Sequence, residues 1–169
     1  FLHNSLLDKW EHPSLFDFHY SEYWRERFEK HDDFNQGIHR DPDLAAHIYV
    51  LTQRGICIDG ESIAAVFPEI SSADFLSSIK GDYKECFEEI TEDPIYCSLN
   101  MLRVLIYIKT GDITSKQEAG EWGLKVLPVE YHKTIKKVLG NYQSEGSPYP
   151  LLQEELLALR DYMDEQIMQ

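Results

Sequence analysis

Apolar residues recur three and four positions apart over most of the chain after residue 40, the spacing of helices that bury one stripe. Leu44, Ile48 and Leu51 carry it behind Asp41-Pro42-Asp43, whose proline suits a first helical turn, and Gly55 ends it. Residues 56–60 predict a short extended piece with a turn, and residues 61–67 predict two helical turns before Pro68 breaks the pattern. Ser71 with Asp74 three positions on resembles an acidic capping box, ahead of a long helix striped by Leu76, Ile79, Tyr83, Phe87 and Ile90. Asp93-Pro94 opens the next helix, with Ile95, Leu99, Leu102 and Ile106 inward, Tyr96, Asn100, Arg103 and Tyr107 on another face, and Gly111 as its stop. Thr114 and Gln117 have capping-box spacing before a helix lined by Ala119, Trp122 and Val126. Pro128 begins a helix with Tyr131, Ile135, Val138 and Tyr142 on one side and Lys133, Lys136 and Lys137 more exposed, and Leu152, Leu156, Leu159, Met163 and Ile167 mark the last. Residues 1–40 hold Trp10, Phe16, Tyr20, Tyr23, Trp24 and Phe28 without clean periodicity and predict an irregular aromatic-rich segment with one short helix. The expected fold is mainly α: a bundle of about five helices after residue 71, preceded by that segment.

Composition narrows the function classes. Among 169 residues, 30 acidic against 16 basic side chains leave a formal charge of −14, too acidic for a general nucleic-acid binder. With 43% hydrophobic residues the chain can bury a real core, so disorder is excluded as its main state. No apolar run approaches the roughly 18 residues of a spanning helix, so no membrane role is expected. Cys57, Cys86 and Cys97 are odd in number and lack CxxC pairing, which fits a reducing cytoplasm. The seven histidines form no HxH, HxxxH or HExxH, so no metal site is assigned. Because the chain begins at Phe1 rather than Met, a fragment or a processed product is expected.

Two constellations carry candidate chemistry. Lys116 stands at a helix start, where free N–H groups favour anions, and the turn at Gly111 can bring Arg103 near the same phosphate. The competing reading is an exposed lysine and an arginine paired to nearby acids. Glu89 and Asp93, one helical turn apart, can present two carboxylates to one cationic ligand, within a stretch where Asp82, Glu85, Glu88, Glu89, Glu92 and Asp93 face only Lys84. Here the competing reading makes Asp93 an N-cap before Pro94 and leaves Glu89 solvated. Arg25 and His31 have the spacing of the HEPN-ribonuclease Arg-x4-6-His motif, but near the chain start rather than late in a bundle, and are set aside as a chance match. No GxSxG, P-loop, GxGxxG, or Gly-Ser followed by Asp-x-Asp occurs, so no catalytic residue is assigned.

From Leu102-Arg103 through Thr110-Gly111, Thr114-Ser115-Lys116, Ala119, Trp122, Leu127-Pro128, Tyr131 and Leu139-Gly140-Asn141-Tyr142, the chain resembles the C-terminal helical domain of the aminoglycoside adenylyltransferases that modify streptomycin and spectinomycin. Trp10 with Pro13, Gln36-Gly37-Ile38, Gly60-Glu61 and Phe67 extend the match toward the start, so that it covers most of residues 10–142. The resemblance implies that residues 1–70 are the tail of a nucleotidyltransferase domain and residues 71–169 the helical domain. It implies transfer of AMP from Mg-ATP to a hydroxyl of a small cationic aminoglycoside or aminocyclitol. By position, Arg103, Lys116 and Tyr142 match residues that contact ATP, and Asp93, Glu89 and Tyr23 match drug-contacting positions. Glu89 stands where the streptomycin-accepting form has Asp, Tyr23 where it has Trp (with Trp24 one residue on), and Tyr96 where it has His. A spectinomycin-like acceptor is therefore expected ahead of streptomycin. The metal-binding carboxylates and the base belong, in that family, to the N-terminal nucleotidyltransferase domain, so the chain alone is expected to be inactive. The alternative reading is a stand-alone helical interaction or regulatory module without catalysis.

Overall fold

The computed structural model describes residues 9–17, 25, 29, 39–144 and 149–168. They are mainly helical, with one small two-stranded sheet. The chain falls into two compact units, residues 1–78 and 79–169.

In the first unit, β1 (Ser14–Phe16) pairs antiparallel with β2 (His39–Asp41), Leu15 opposite Arg40. The sequence predicts no strands here, because three-residue strands are too short to show alternation; Arg40 holds the pairing by donating to the Pro13 carbonyl at 2.6 Å and meeting Glu11 at 3.3 Å. Of the short helix expected in this region only Arg25 and Glu29 lie among the described residues; both are helical and pair at 3.3 Å. Helix α1 (Leu44–Arg54) runs as its spacing predicts and buries Ala45 and Ile48 against Ile70, with Trp10, Tyr49 and Phe67 around them. Residues 61–67 make one helical turn, α2 (Ile63–Val66), rather than the two predicted, since the Phe67 backbone is already extended before Pro68.

Helix α3 (Ser72–Glu89) starts at Ser71, whose hydroxyl accepts the Asp74 N–H at 3.0 Å. The box is not reciprocal, because the Asp74 carboxylate accepts the Trp10 indole N–H at 3.0 Å instead. The buried stripe of α3 is Phe75, Ile79, Tyr83 and Cys86, continued by Ile90 just past its end, and is shifted one position from the predicted Leu76 and Phe87, which are half-buried.

In the second unit α4 (Pro94–Thr110) is the central helix, buried on nearly every side from Cys97 to Ile106 and contacted by α5 (Lys116–Val126), α6 (His132–Gln143) and α7 (Gln153–Ile167). That explains why no single stripe describes it: Asn100, assigned from spacing to an outer face, is buried. With α3, these make five α-helices among the described residues after residue 71, as expected. Leu99 faces Gly120 and Leu102 faces Gly123, so α4 and α5 run in the same direction, and residues 111–115 return along α4 to allow it. Gly111, with φ of 78°, turns the chain into this return. The predicted lining of α5 by Ala119, Trp122 and Val126 is corrected to Ala119, Gly120 and Gly123, with Trp122 half-buried and Val126 exposed. Hydrophobic spacing overlooks glycine, although a Cβ at Gly120 would stand 2.7 Å from the Leu139 side chain. Pro128 leads into a 3-10 turn (Val129–Tyr131) before α6. Lys133 and Lys137 both bind Glu155 at 2.8 Å, which leaves Lys137 far less exposed than expected and ties α6 to α7.

Candidate functional site

The N-termini of α4 and α5 lie at the same end of the second unit, a consequence of the two helices running parallel. Asp93 caps α4, its carboxylate accepting the Tyr96 N–H at 3.2 Å with Pro94 in the first turn. The cap of α5 is Ser115 rather than Thr114: its hydroxyl accepts the Glu118 N–H at 3.2 Å, and Glu118 accepts the Ser115 N–H at 2.7 Å. The shift of one residue makes Lys116 the first residue of the helix. Its ammonium sits 4.0 Å from the centre of the Tyr96 ring, a cation–π contact between the first turns of α4 and α5.

Arg103 reaches back along α4, as helical side chains do, donating through Nη1 to Asn100 Oδ1 at 3.2 Å. Its Nε donates to the Thr114 carbonyl at 2.9 Å. Among the described residues neither Arg103 nor Lys116 pairs with a carboxylate and Lys116 is half-buried, so the reading of an exposed lysine and an arginine paired to nearby acids does not hold. Burial and the neighbouring Arg103 guanidinium hold the Lys116 pKa below the ordinary lysine value, while the Asp93 carboxylate works in the other direction. Arg103, held to the Thr114 carbonyl two residues before Lys116, shares one neighbourhood with it. Tyr142 is exposed in the last turn of α6. Helices α5 and α6 run antiparallel, Gly120 facing Leu139 and Gly123 facing Ile135, and the same register one turn further sets Tyr142 level with Lys116.

Beside the cations lies a cleft of about 200 Å³ lined by Asp82, Glu85, Cys86, Glu89, Asp93, Tyr96 and Cys97. Glu89 and Asp93 therefore share one cavity, and Asp82 and Glu85 add two acids that spacing from Asp93 alone does not suggest. Tyr96 forms a wall between cleft and cation; burial first, then the Asp82 charge, push its hydroxyl up to about 12. Burial and the adjacent Cys86 also raise the Cys97 thiol to about 12, and burial raises Cys86 against the opposing hydrogen bond from Asn100. Both thiols line the cleft, and burial disfavours their thiolate forms. Among the described residues no three His, Cys, Asp or Glu side chains converge in a way that could hold a metal ion. Nor is any described helix long and apolar enough to cross a membrane. Tyr23 and Trp24 lie outside the described residues, as does His31. Sequence reasoning missed Asn100 and Thr114 as partners of Arg103. An asparagine three residues before an arginine on one helix is the signal that could have found the first.

A family model described as the aminoglycoside adenylyltransferase C-terminal domain matches residues 65–166. Spectinomycin 9-adenylyltransferases from Staphylococcus aureus strains are 28% identical over 167 residues, which is 98% of this chain and 64% of theirs. The Enterococcus faecalis spectinomycin 9-adenylyltransferase is 24% identical over 159 residues, 94% of this chain and 54% of its own length. The chain therefore spans under two thirds of the curated relatives it matches. Among solved structures, a spectinomycin adenyltransferase from Enterococcus faecalis, crystallised with ATP and spectinomycin, superposes with a TM-score of 0.80 at 20% identity, covering 98% of this chain and 66% of that one. At that identity the likeness shows the fold.

Proposed function

The chain belongs to the aminoglycoside adenylyltransferase C-terminal domain family, and from that premise we propose that it is the C-terminal part of an enzyme that transfers AMP from Mg-ATP to a hydroxyl of an aminocyclitol of the spectinomycin kind. The observation that carries this reading is the pairing of opposites at one end of the bundle. Two cations that have no carboxylate partner among the described residues, Arg103 and Lys116, stand beside a four-acid cleft. A triphosphate suits the first and a polyhydroxylated cation the second. In the proposed reaction the acceptor hydroxyl oxygen bonds to the α-phosphorus, the bond from that phosphorus to the bridging oxygen breaks, and pyrophosphate leaves while the hydroxyl proton passes to a base.

Arg103 and Lys116 bind and orient phosphate oxygens, with Tyr142 level with them as a surface against the nucleotide. Asp93 binds the acceptor, with Glu89 secondary, each accepting hydrogen bonds from its ammonium or hydroxyl groups. Tyr23 is proposed as a further acceptor contact. The residues present do not fit magnesium, since no described triad of ligands converges. In this reading the base and the metal-binding carboxylates belong to the nucleotidyltransferase domain, of which residues 1–70 form the tail, and residues 71–169 form the helical domain. The protein works in the cytoplasm, where ATP is available, and residues 1–169 alone do not turn over.

Incubation of the full-length protein with Mg-ATP and spectinomycin, read by mass spectrometry of the drug, tests this. An adenylylated drug with the full-length protein, and none with residues 1–169, is the expected result. Absence of AMP transfer by the full-length protein to any aminocyclitol or aminoglycoside overturns it.

A further inference from the structure

Asn100 is 5% exposed on α4 and joins the two halves of the candidate site. Its Oδ1 accepts from Arg103 Nη1 at 3.2 Å, and its Nδ2 donates to Cys86 Sγ at 3.7 Å, a thiol that lines the acidic cleft. The guanidinium is held a second time where Nε donates to the Thr114 carbonyl at 2.9 Å. A planar fork held at one point can swing about that point, whereas two holds on different elements fix its plane. Here one hold comes from its own helix and the other from the returning segment 111–115. Three of the five guanidinium N–H groups remain without a partner among the described residues.

The chemistry of the hold matters as much as its place. An amide oxygen orients a guanidinium without cancelling its charge, while a carboxylate in that position would form an ion pair and weaken its attraction for phosphate. A buried amide must itself be satisfied at both ends, and Cys86 supplies the acceptor for the other end. We propose that Asn100 is a positioning residue for the nucleotide: it presents Arg103 to the phosphates with its charge intact and anchors that arrangement to the wall of the acceptor cleft. This rests on Arg103 being a phosphate contact, as proposed above.

The test uses the full-length protein, with ATP affinity measured by titration calorimetry, steady-state kinetics alongside, and Arg103→Ala as the reference. Asn100→Leu keeps the branching and heavy-atom count of the side chain and removes both hydrogen bonds. It is expected to raise the KM and Kd for ATP about tenfold while kcat at saturating ATP stays within about twofold. In the Arg103→Ala background the same change is expected to alter ATP affinity less than about twofold, because its effect passes through the missing guanidinium. A merely structural role would cost the same in both backgrounds, and that result overturns the proposal, as does unchanged ATP affinity in Asn100→Leu. If the leucine variant fails to fold, Asn100→Asp takes its place. It is expected to lower ATP affinity at least tenfold by pairing with Arg103, and wild-type affinity in that variant overturns the proposal too. Wild-type ATP affinity in Arg103→Ala removes Arg103 from the nucleotide site and Asn100 with it. Loss in Arg103→Ala with none in Asn100→Leu leaves the nucleotide site standing and ends only the positioning role.

Discussion

Replacing Asp93 with Asn separates the two tasks this residue performs. Its carboxylate caps α4 through the 3.2 Å bond from the Tyr96 N–H, and an amide oxygen accepts that bond about as well. The lost charge costs a favourable interaction with the helix N-terminus of about 0.3–1 kcal/mol. Relief of repulsion from Glu89 one turn earlier, and from Asp82 and Glu85 across the cleft, offsets part of it. Stability is therefore expected to change by less than about 1 kcal/mol, read as the midpoint of a urea or thermal transition. Binding is a different matter. A charged hydrogen bond contributes about 1.5–3 kcal/mol, and discounting for the exposure of Asp93 leaves about 1.4 kcal/mol, a tenfold loss of acceptor affinity. Calorimetric titration of spectinomycin into the full-length protein with ATP and no magnesium, so that no transfer occurs, measures it. The same change removes the charge that supports Lys116, whose pKa then falls further, so ATP affinity should begin to decline at a lower pH than in the unaltered protein. Matched losses of stability and affinity would reduce Asp93 to a cap. Wild-type affinity in Asp93→Asn would remove it from the site.

Lys116→Met keeps the apolar stem against Tyr96 and is expected to lower ATP affinity about tenfold without lowering stability, since burial and Arg103 disfavour the ammonium in the folded chain. Phosphate binding by the unaltered protein should be full below the Lys116 pKa and fade as pH rises through it, at values under the ordinary 10.5; a flat ATP affinity between pH 7 and 10.5 would contradict this. Ser98 is wholly buried and its hydroxyl has no partner among the described residues, so Ser98→Ala is expected to raise stability by about 1 kcal/mol, and a lower unfolding midpoint would show that the hydroxyl is satisfied in solution. Tyr83 donates to Asp164, and Tyr83→Phe should cost about 1–2 kcal/mol by urea unfolding. Burial and Asp164 raise the Tyr83 pKa above that of the unfolded chain, so its contribution is full below about pH 10 and is lost as the pH climbs beyond; in Tyr83→Phe that part of the alkaline loss should vanish.

Helix boundaries were legible where a cap residue, a proline or a glycine marks them, as at Asp93-Pro94 and Gly111. They slipped at Thr114, because Ser115 offers a second hydroxyl one position on and only the three-dimensional path of residues 111–115 decides between them. Period-based reading placed Val126 inward and overlooked Gly120 and Gly123, since it weighs side chains, while close helix packing here depends on their absence. The matching of Arg103, Lys116 and Asp93 to site positions came from resemblance, with helix ends as physical support. What spacing could not give is which groups hold the arginine, for Thr114 acts through its backbone carbonyl and any residue type would serve. Nor did it give Asp82 and Glu85 as co-lining acids, as that depends on how α3 and α4 fold against each other.

The end of the bundle that carries Arg103 and Lys116 beside the four-acid cleft keeps opposite charges side by side, and among the described residues neither cation pairs with a carboxylate. Such a surface is a fixed dipole, and physiological salt screens its exposed charges over roughly 8 Å. A lone small ion gains little from it, because the attraction of one pole is diluted by repulsion from the other. Two ligands of opposite sign arriving at their own poles cancel each other's misfit, so each improves the field for the other without any movement of the backbone. Added salt weakens both attractions together, and with them the mutual benefit. Affinity for nucleotide measured alone should consequently understate affinity measured with the acceptor in place, and the gap between the two should close as ionic strength rises.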